Sequence, residues 1–238
     1  MNYVIIFAGG IGARMGSSIP KQFLEVDQKE ILVHTIEKFN FHSEIDKIVV
    51  VSNGDYMDYC RQLMQKYNLY KVVEVVSGGA TGQQSIYNGL KYLVDHVSKD
   101  VKNDIVLVHD GVRPMIDNNL ISNSINMCKS KGNSIAVARA IETIVRIGGD
   151  GVLKDVVDRS ECWYAKAPQC FKAIDLWNAH TWAIKNNNFA FIDSATLMSS
   201  FGFELNTVEC SAENIKITTP NDYYMFKAIY EAQKMDKH

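Results

Sequence analysis

The sequence predicts an α/β fold built on a doubly wound, mostly parallel sheet, and three observations carry that prediction. Short apolar runs rich in β-branched residues recur along the chain, they alternate with longer amphipathic stretches, and the alternation begins with the first residues. Runs that are apolar throughout suit strands covered by helices on both faces. Regular strand–helix alternation is the pattern of parallel crossover units.

Taken in order, the strands are expected at residues 3–7, 47–51, 72–76, 105–108 and 134–138. Helices are expected at 31–39, 56–67, 85–97 and 119–131. In the third, Ile86, Leu90, Leu93 and Val97 recur at helical spacing and make one apolar face. After Ala138 the pattern changes. Residues 143–147 and 152–157 form two β-rich arms around Gly148-Gly149-Asp150-Gly151, which reads as a hairpin projecting from the sheet, in an arm of about 139–163. A projecting ribbon cannot bury both its faces on its own chain, so a homodimer is expected. A last helix is expected at 222–232, with Tyr223, Tyr224, Met225 and Phe226 packing into the core. The whole chain, 1–238, reads as a single Rossmann-like domain with this dimerisation arm.

The composition narrows the function. A formal net charge of -2 excludes a broad electrostatic footprint for nucleic acid or an anionic membrane, while leaving room for a few cations converging on one cleft. Cys60, Cys128, Cys162, Cys170 and Cys210 are odd in number, widely spread and without a C-x-x-C pair, which reads as reduced thiols rather than a disulfide frame or zinc site. The chain opens without a basic segment or a long apolar stretch, so neither a signal peptide nor a membrane span is expected, and the location is expected to be cytoplasmic.

In an open α/β sheet, ligands sit beyond the carboxyl ends of the strands, and four loops there carry unusual residues. The first is Ala8-Gly9-Gly10-Ile11-Gly12-Ala13-Arg14-Met15-Gly16, followed by Pro20-Lys21-Gln22. Clustered glycines let backbone N–H groups approach an anion. The loop lacks the Gly-Lys-Ser/Thr ending of a P-loop, and Met15 stands where a dinucleotide fingerprint needs its third glycine. Arg14 and Lys21 flank it with two cations, where a polyphosphate would lie. A glycine turn that only packs is the plainer alternative.

The second loop, Ser77-Gly78-Gly79-Ala80-Thr81-Gly82-Gln83-Gln84-Ser85, runs into a helix, with Ser85 either its cap or a hydroxyl for a ligand. The third is His109-Asp110-Gly111-Val112-Arg113-Pro114, whose Asp110 is well placed to hold Mg²⁺ bound to phosphates. In the fourth, Asn214-Ile215-Lys216-Ile217-Thr218-Thr219-Pro220, Lys216 interrupts a strand-like run, where it could equally be an edge-strand charge. No metal-ligand histidine pair, nucleophile elbow or Cys–His arrangement stands out; His34, His42, His96 and His180 read as structural or solvent-facing.

These motifs, with Glu142-Thr143, Val157-Asp158-Arg159, Ala167-Pro168-Gln169 and Asp193, occur in an order that resembles one family over essentially the whole chain. The chain is similar to the cytidylyltransferases that act on 2-C-methyl-D-erythritol 4-phosphate and on D-ribitol 5-phosphate. The resemblance implies a CTP-dependent transferase that makes a CDP-polyol and releases pyrophosphate. It implies that Arg14 and Lys21 stabilise charge on the α-phosphate. Nucleotide binding would fall to Phe7, Ala8, Gly9 and Gly10, with Gly79, Ala80, Thr81, Gly82 and Ser85. Asp110 would organise Mg²⁺. Arg113 and Lys216 would bind the acceptor, together with Thr143 and Arg159 on the arm of the neighbouring subunit. Gly82 stands where the family usually has Arg, Ala167 where it has Thr, and Ser194 where an acidic residue or Ala follows the aspartate. Ala8-Gly9-Gly10 and Val112 lean toward the ribitol branch, with methylerythritol phosphate as the alternative acceptor.

Overall fold

The computed structural model describes residues 1–10 and 19–235. β1 (Asn2–Ala8) is followed by a short ribbon of β2 (Glu25–Val26) and β3 (Lys29–Glu30), then by α1 (Ile31–Asn40) and β4 (Lys47–Ser52). Next come α2 (Met57–Lys66), β5 (Val72–Ser77), α3 (Gly82–Tyr92), β6 (Ile105–Asp110), α4 (Asn118–Lys131) and β7 (Asn133–Arg139). The arm holds β8 (Ile144–Ile147) and β9 (Leu153–Val157). The chain returns through β10 (Trp163–Lys172), α5 (Ala173–Lys185), α6 (Ser194–Ser200) and β11 (Thr207–Glu209), and finishes in α7 (Pro220–Met235).

The seven-stranded sheet has the order β11-β7-β10-β6-β1-β4-β5. β1 lies parallel to both β4 and β6, so the chain winds outward on one side of β1 and then crosses to the other. That reversal opens a crevice at the carboxyl ends of β1 and β6. Within the described strands of this seven-stranded sheet β10 alone runs against its neighbours, pairing antiparallel with β6 and β7.

Strand side chains alternate between two cores, as the two-residue period of a strand requires. Val4, Ile6, Ile48 and Val50 meet α1, α2 and α4 through Leu32, Ile36, Leu63 and Ile125. Tyr3, Ile5, Val49 and Val51 meet α3, α5 and α6 through Ile86, Leu90, Leu176 and Leu197. With both faces covered, each large aliphatic side chain fully buried this way contributes roughly 1.5–3 kcal/mol.

The five expected strands are all present, with boundaries moved by a residue or two. The third helix differs more: α3 begins at Gly82 because Thr81 caps it, accepting from Gln84 N at 3.1 Å, and Leu93–Val97 continues it as a π turn. α7 begins at Pro220, two residues earlier than expected. Thr219 Oγ1 accepts from Asp222 N (3.4 Å) while Asp222 accepts from Thr219 N (2.7 Å), a reciprocal cap with proline in the first turn. Of the four α7 residues expected in the core, Phe226 is buried and Tyr223 half-buried, whereas Tyr224 and Met225 face solvent. Residues 214–219 are not a strand: Ile217 N makes one bond to Val112 O, and the segment crosses the sheet end as an extended loop.

Candidate active site

Two cavities lie side by side in the crevice, sharing Phe7, Gly82, Asp110 and Lys216 as a common wall. One, of about 270 Å³, is enclosed by Ala8, Gly9 and Gly10 after β1, by Gly79–Thr81 before α3, and by Lys21. The other, of about 350 Å³, is enclosed by Arg113, by Lys166, Ala167 and Gln169 of β10, and by Asp193 and Ser194. The larger falls in the size range of small-molecule sites and the smaller just below it.

The glycine-rich wall is fixed by its own hydrogen bonds. Gln22, in the 3₁₀ turn Lys21–Phe23, is buried and donates its Nε2 to Ala8 O at 2.8 Å, tying the lysine segment to the first loop. Gly78 N donates to Ser52 O at 2.7 Å. Ser85 is not the cap of α3. Its hydroxyl accepts from Gly79 N (3.1 Å) and donates to Thr81 O (2.9 Å), folding the second loop back on the helix. Gln84 Oε1 accepts from Ala80 N at 2.9 Å. A Cβ on Gly79 would sit 2.4 Å from Gln84 Cβ and 3.2 Å from the Gln84 carbonyl carbon, so only glycine permits this close approach.

Asp110 ends β6 beside Phe7 of β1. It is buried, and both oxygens are engaged: Oδ1 with Lys216 Nζ at 2.6 Å and Oδ2 with Arg113 Nε at 3.1 Å. Burial works to raise its pKa, but the adjacent Arg113 and Lys216 charges outweigh that and hold the carboxyl below its ordinary value. Arg113 is buried too, and its Nη1 donates to Asn214 O at 2.6 Å. Asn214 in turn donates Nδ2 to Ala167 O at 2.8 Å, so the loop carrying Lys216 is fastened to β10. His109 is buried against Phe39 with Nε2 at 3.0 Å from Arg113 O, and burial pushes its pKa down to about 4. It is a neutral structural group.

Most of the expected site residues therefore converge. Phe7, Ala8, Gly9, Gly10, Lys21, Gly79, Ala80, Thr81, Gly82 and Ser85 line the first cavity; Arg113 lines the second; Asp110 and Lys216 stand between them. Arg14 lies outside the described residues. Thr143 and Arg159 line neither lobe. Both are exposed on the arm, where Arg159 Nη1 donates to Ile141 O at 3.0 Å. Gln22, Gln84, Asn214 and Gln169 were not singled out by the residue reading, although the P-K-Q, A-P-Q and N-I-K motifs contain three of them. Gln169 joins Asp193 Oδ2 and Ala195 N at 2.9 Å each, pinning the start of α6 to β10.

Among the described residues no group of three His, Cys, Asp or Glu side chains is disposed to hold a metal ion. Asp110 is the carboxylate of the shared wall, and its two oxygens are engaged by Lys216 and Arg113.

The model of the family described as "IspD: 2-C-methyl-D-erythritol 4-phosphate cytidylyltransferase" matches residues 2–232. The chain belongs to this cytidylyltransferase family. It is thus a nucleotidyltransferase. A ribitol-5-phosphate cytidylyltransferase of Streptococcus agalactiae serotype III (strain NEM316) is 44% identical over 238 residues, covering 100% of this chain and 98% of the relative. A 2-C-methyl-D-erythritol 4-phosphate cytidylyltransferase of Clostridium novyi (strain NT) is 38% identical, over 97% and 96% of the two chains. A solved 4-diphosphocytidyl-2C-methyl-D-erythritol synthase from Anaerococcus prevotii shares the family fold with a TM-score of 0.83 at 27% identity, covering 97% and 96%. No helix among the described residues is long and apolar enough to cross a membrane.

Proposed function

We propose that this protein transfers the cytidylyl group of CTP to D-ribitol 5-phosphate, giving CDP-ribitol and pyrophosphate, in the cytoplasm and as a homodimer. The observation that carries this reading is the shared wall: Asp110 and Lys216 separate a glycine-lined cavity from one lined by Arg113 and Lys166, so a nucleotide and an acceptor can meet across them. The identity of 44% over the whole chain to a ribitol-5-phosphate enzyme selects the acceptor.

An acceptor phosphate oxygen attacks the α-phosphorus of CTP in line, forming a new P–O bond while the bond to the β-phosphate breaks. The attacking group is already ionised, so no general base is required. The difficulty is bringing two polyanions together, and it is met by positioning and by positive charge. Lys21 lines the nucleotide cavity, Arg14 is the second cation that the family resemblance would add, and backbone N–H groups of the glycine loops would hold the phosphates. Lys216 guides the acceptor from the shared wall. Asp110 is the carboxylate that would hold Mg²⁺ arriving with CTP, and the ion would add charge neutralisation there.

The arm supports the dimer. Val145 opposes Val156 and Ile147 opposes Leu153, so four exposed apolar side chains make cross-strand pairs on one side of the ribbon. Thr143 and Arg159, remote from the lobes of their own chain, would then serve the acceptor lobe of the partner.

Pyrophosphate release from CTP, Mg²⁺ and a panel of polyol phosphates tests the reading. Ribitol 5-phosphate is expected to be the preferred acceptor, and no turnover with any polyol phosphate would refute it. Preference for methylerythritol phosphate would select the second reading, which the Clostridium relative favours. Within the active enzyme, Lys21→Ala is expected to lower kcat by roughly 10²–10³, as loss of one transition-state donor does elsewhere.

A further inference from the structure

The acceptor-side lobe contains a cation that no carboxylate balances. Lys166 lies on β10, where the pairing with β7 shifts between Ala165 and Gln169, and it lines the 350 Å³ cavity. Its Nζ donates to the carbonyls of Ala212 (3.0 Å) and Asn214 (3.1 Å). An ammonium carries three donors, so these two bonds leave one. The neighbouring cations, Arg113 and Lys216, share Asp110, whereas no ion pair among the described residues includes Lys166. The side chain is half-buried, and burial lowers its pKa. A partly desolvated charge without a counter-ion is stabilised by an anion entering beside it, more strongly than an exposed lysine would be.

We infer that Lys166 is an acceptor-binding residue, contributing its charge to the phosphate monoester of the polyol phosphate. This rests on the reaction proposed above. Among the described residues it lines the lobe beyond the shared wall and not the glycine-lined cavity. Its effect therefore belongs to one substrate. A different role, latching the 212–216 loop through the two carbonyls, would disturb Lys216 and both substrates together.

Three variants separate these roles in the full-length enzyme. Lys166→Gln keeps hydrogen-bond donors and removes the charge, Lys166→Met removes both, and Lys166→Arg keeps the charge. The KM for ribitol 5-phosphate is expected to rise about 10-fold in the Gln and Met variants, with the KM for CTP within twofold of wild type and a shallower dependence on salt. The Arg variant is expected to recover most of the loss. An acceptor KM within twofold of wild type in Lys166→Gln, or a parallel rise in the KM for CTP, overturns the assignment. Lys166→Gln and Lys166→Arg decide the matter even where Lys166→Met folds poorly. A wild-type enzyme inactive with every polyol phosphate instead refutes the reaction itself, so the two failures are distinguishable.

Discussion

At the scale of single residues, Asp110 decides how the cleft is held. It sits buried between Arg113 and Lys216, and its negative charge is what allows a buried guanidinium to remain there. Removing one member of a buried pair leaves the other uncompensated, so Asp110→Asn is expected to cost on the order of 3 kcal/mol. The shift of the urea midpoint checks this, and a variant as stable as wild type would show that Arg113 finds another counter-charge. The carboxyl titrates below its ordinary range, so its contribution is full above the unfolded pKa of about 3.9 and lost only as pH falls through the lower folded value. Neutral-pH stability is untouched by its titration.

At the scale of elements, α3 is placed by contact with the sheet rather than by propensity. Gly89 lies in the middle of the helix, where glycine costs about 1 kcal/mol relative to alanine. A Cβ there would meet Val51 Cγ2 at 2.7 Å and Ile5 Cγ2 at 2.8 Å, so the helix could not pack so close. Gly89→Val is expected to destabilise by about 1–3 kcal/mol through overpacking. Gly82, at the start of the same helix, has nothing within 4 Å of its Cβ position. Gly82→Ala is therefore expected to leave the melting temperature unchanged or raise it, and the pair of melting curves tests whether space, not helix propensity, sets the outcome.

At the scale of the whole molecule, two properties follow from how the surfaces are distributed. On the dimer proposed above, the double variant Ile147→Lys, Leu153→Lys is expected to shift the particle mass from dimer to monomer by light scattering, and activity to fall with it, since Thr143 and Arg159 would then reach no partner cleft. A variant that stays dimeric would place the interface elsewhere. The interior also makes stability depend on pH. His180 is buried beside Tyr87, neither ring nitrogen has a partner among the described residues, and burial lowers its pKa to about 4. Unfolded, the same group titrates near 6.5, so below that pH the unfolded chain takes up a proton that the folded one refuses. Stability is expected to fall between about pH 6.5 and 4, by roughly 3 kcal/mol for a shift of this size. His109, buried with the same depressed pKa, adds a second contribution over this range, so His180→Phe should make that part of the profile shallower without abolishing it, as measured by chemical denaturation across pH.

Local pattern alone was enough for the five parallel strands, the projecting hairpin and the four loops at the carboxyl ends of the sheet, because each rests on near neighbours in sequence: apolar runs, glycine turns and caps. The antiparallel β10 was not legible, since Trp163–Lys172 mixes polar and apolar residues and becomes a strand only between β6 and β7. Nor could local pattern tell that Lys216 rides on a loop, that Ser85 braces Gly79 instead of capping α3, or that Lys166 lines the second cavity. The places of Lys216 and Lys166 depend on partners tens of residues away, and the Ser85 brace on a loop folded back against its own helix, through hydrogen bonds and burial that exist once the sheet has closed. The sequence by itself determined the kind of chemistry, by placing cations and glycines at strand ends. Only the tertiary structure decided which charges neutralise each other and which stands without a carboxylate among the described residues, because Coulomb interactions act through space and depend on burial.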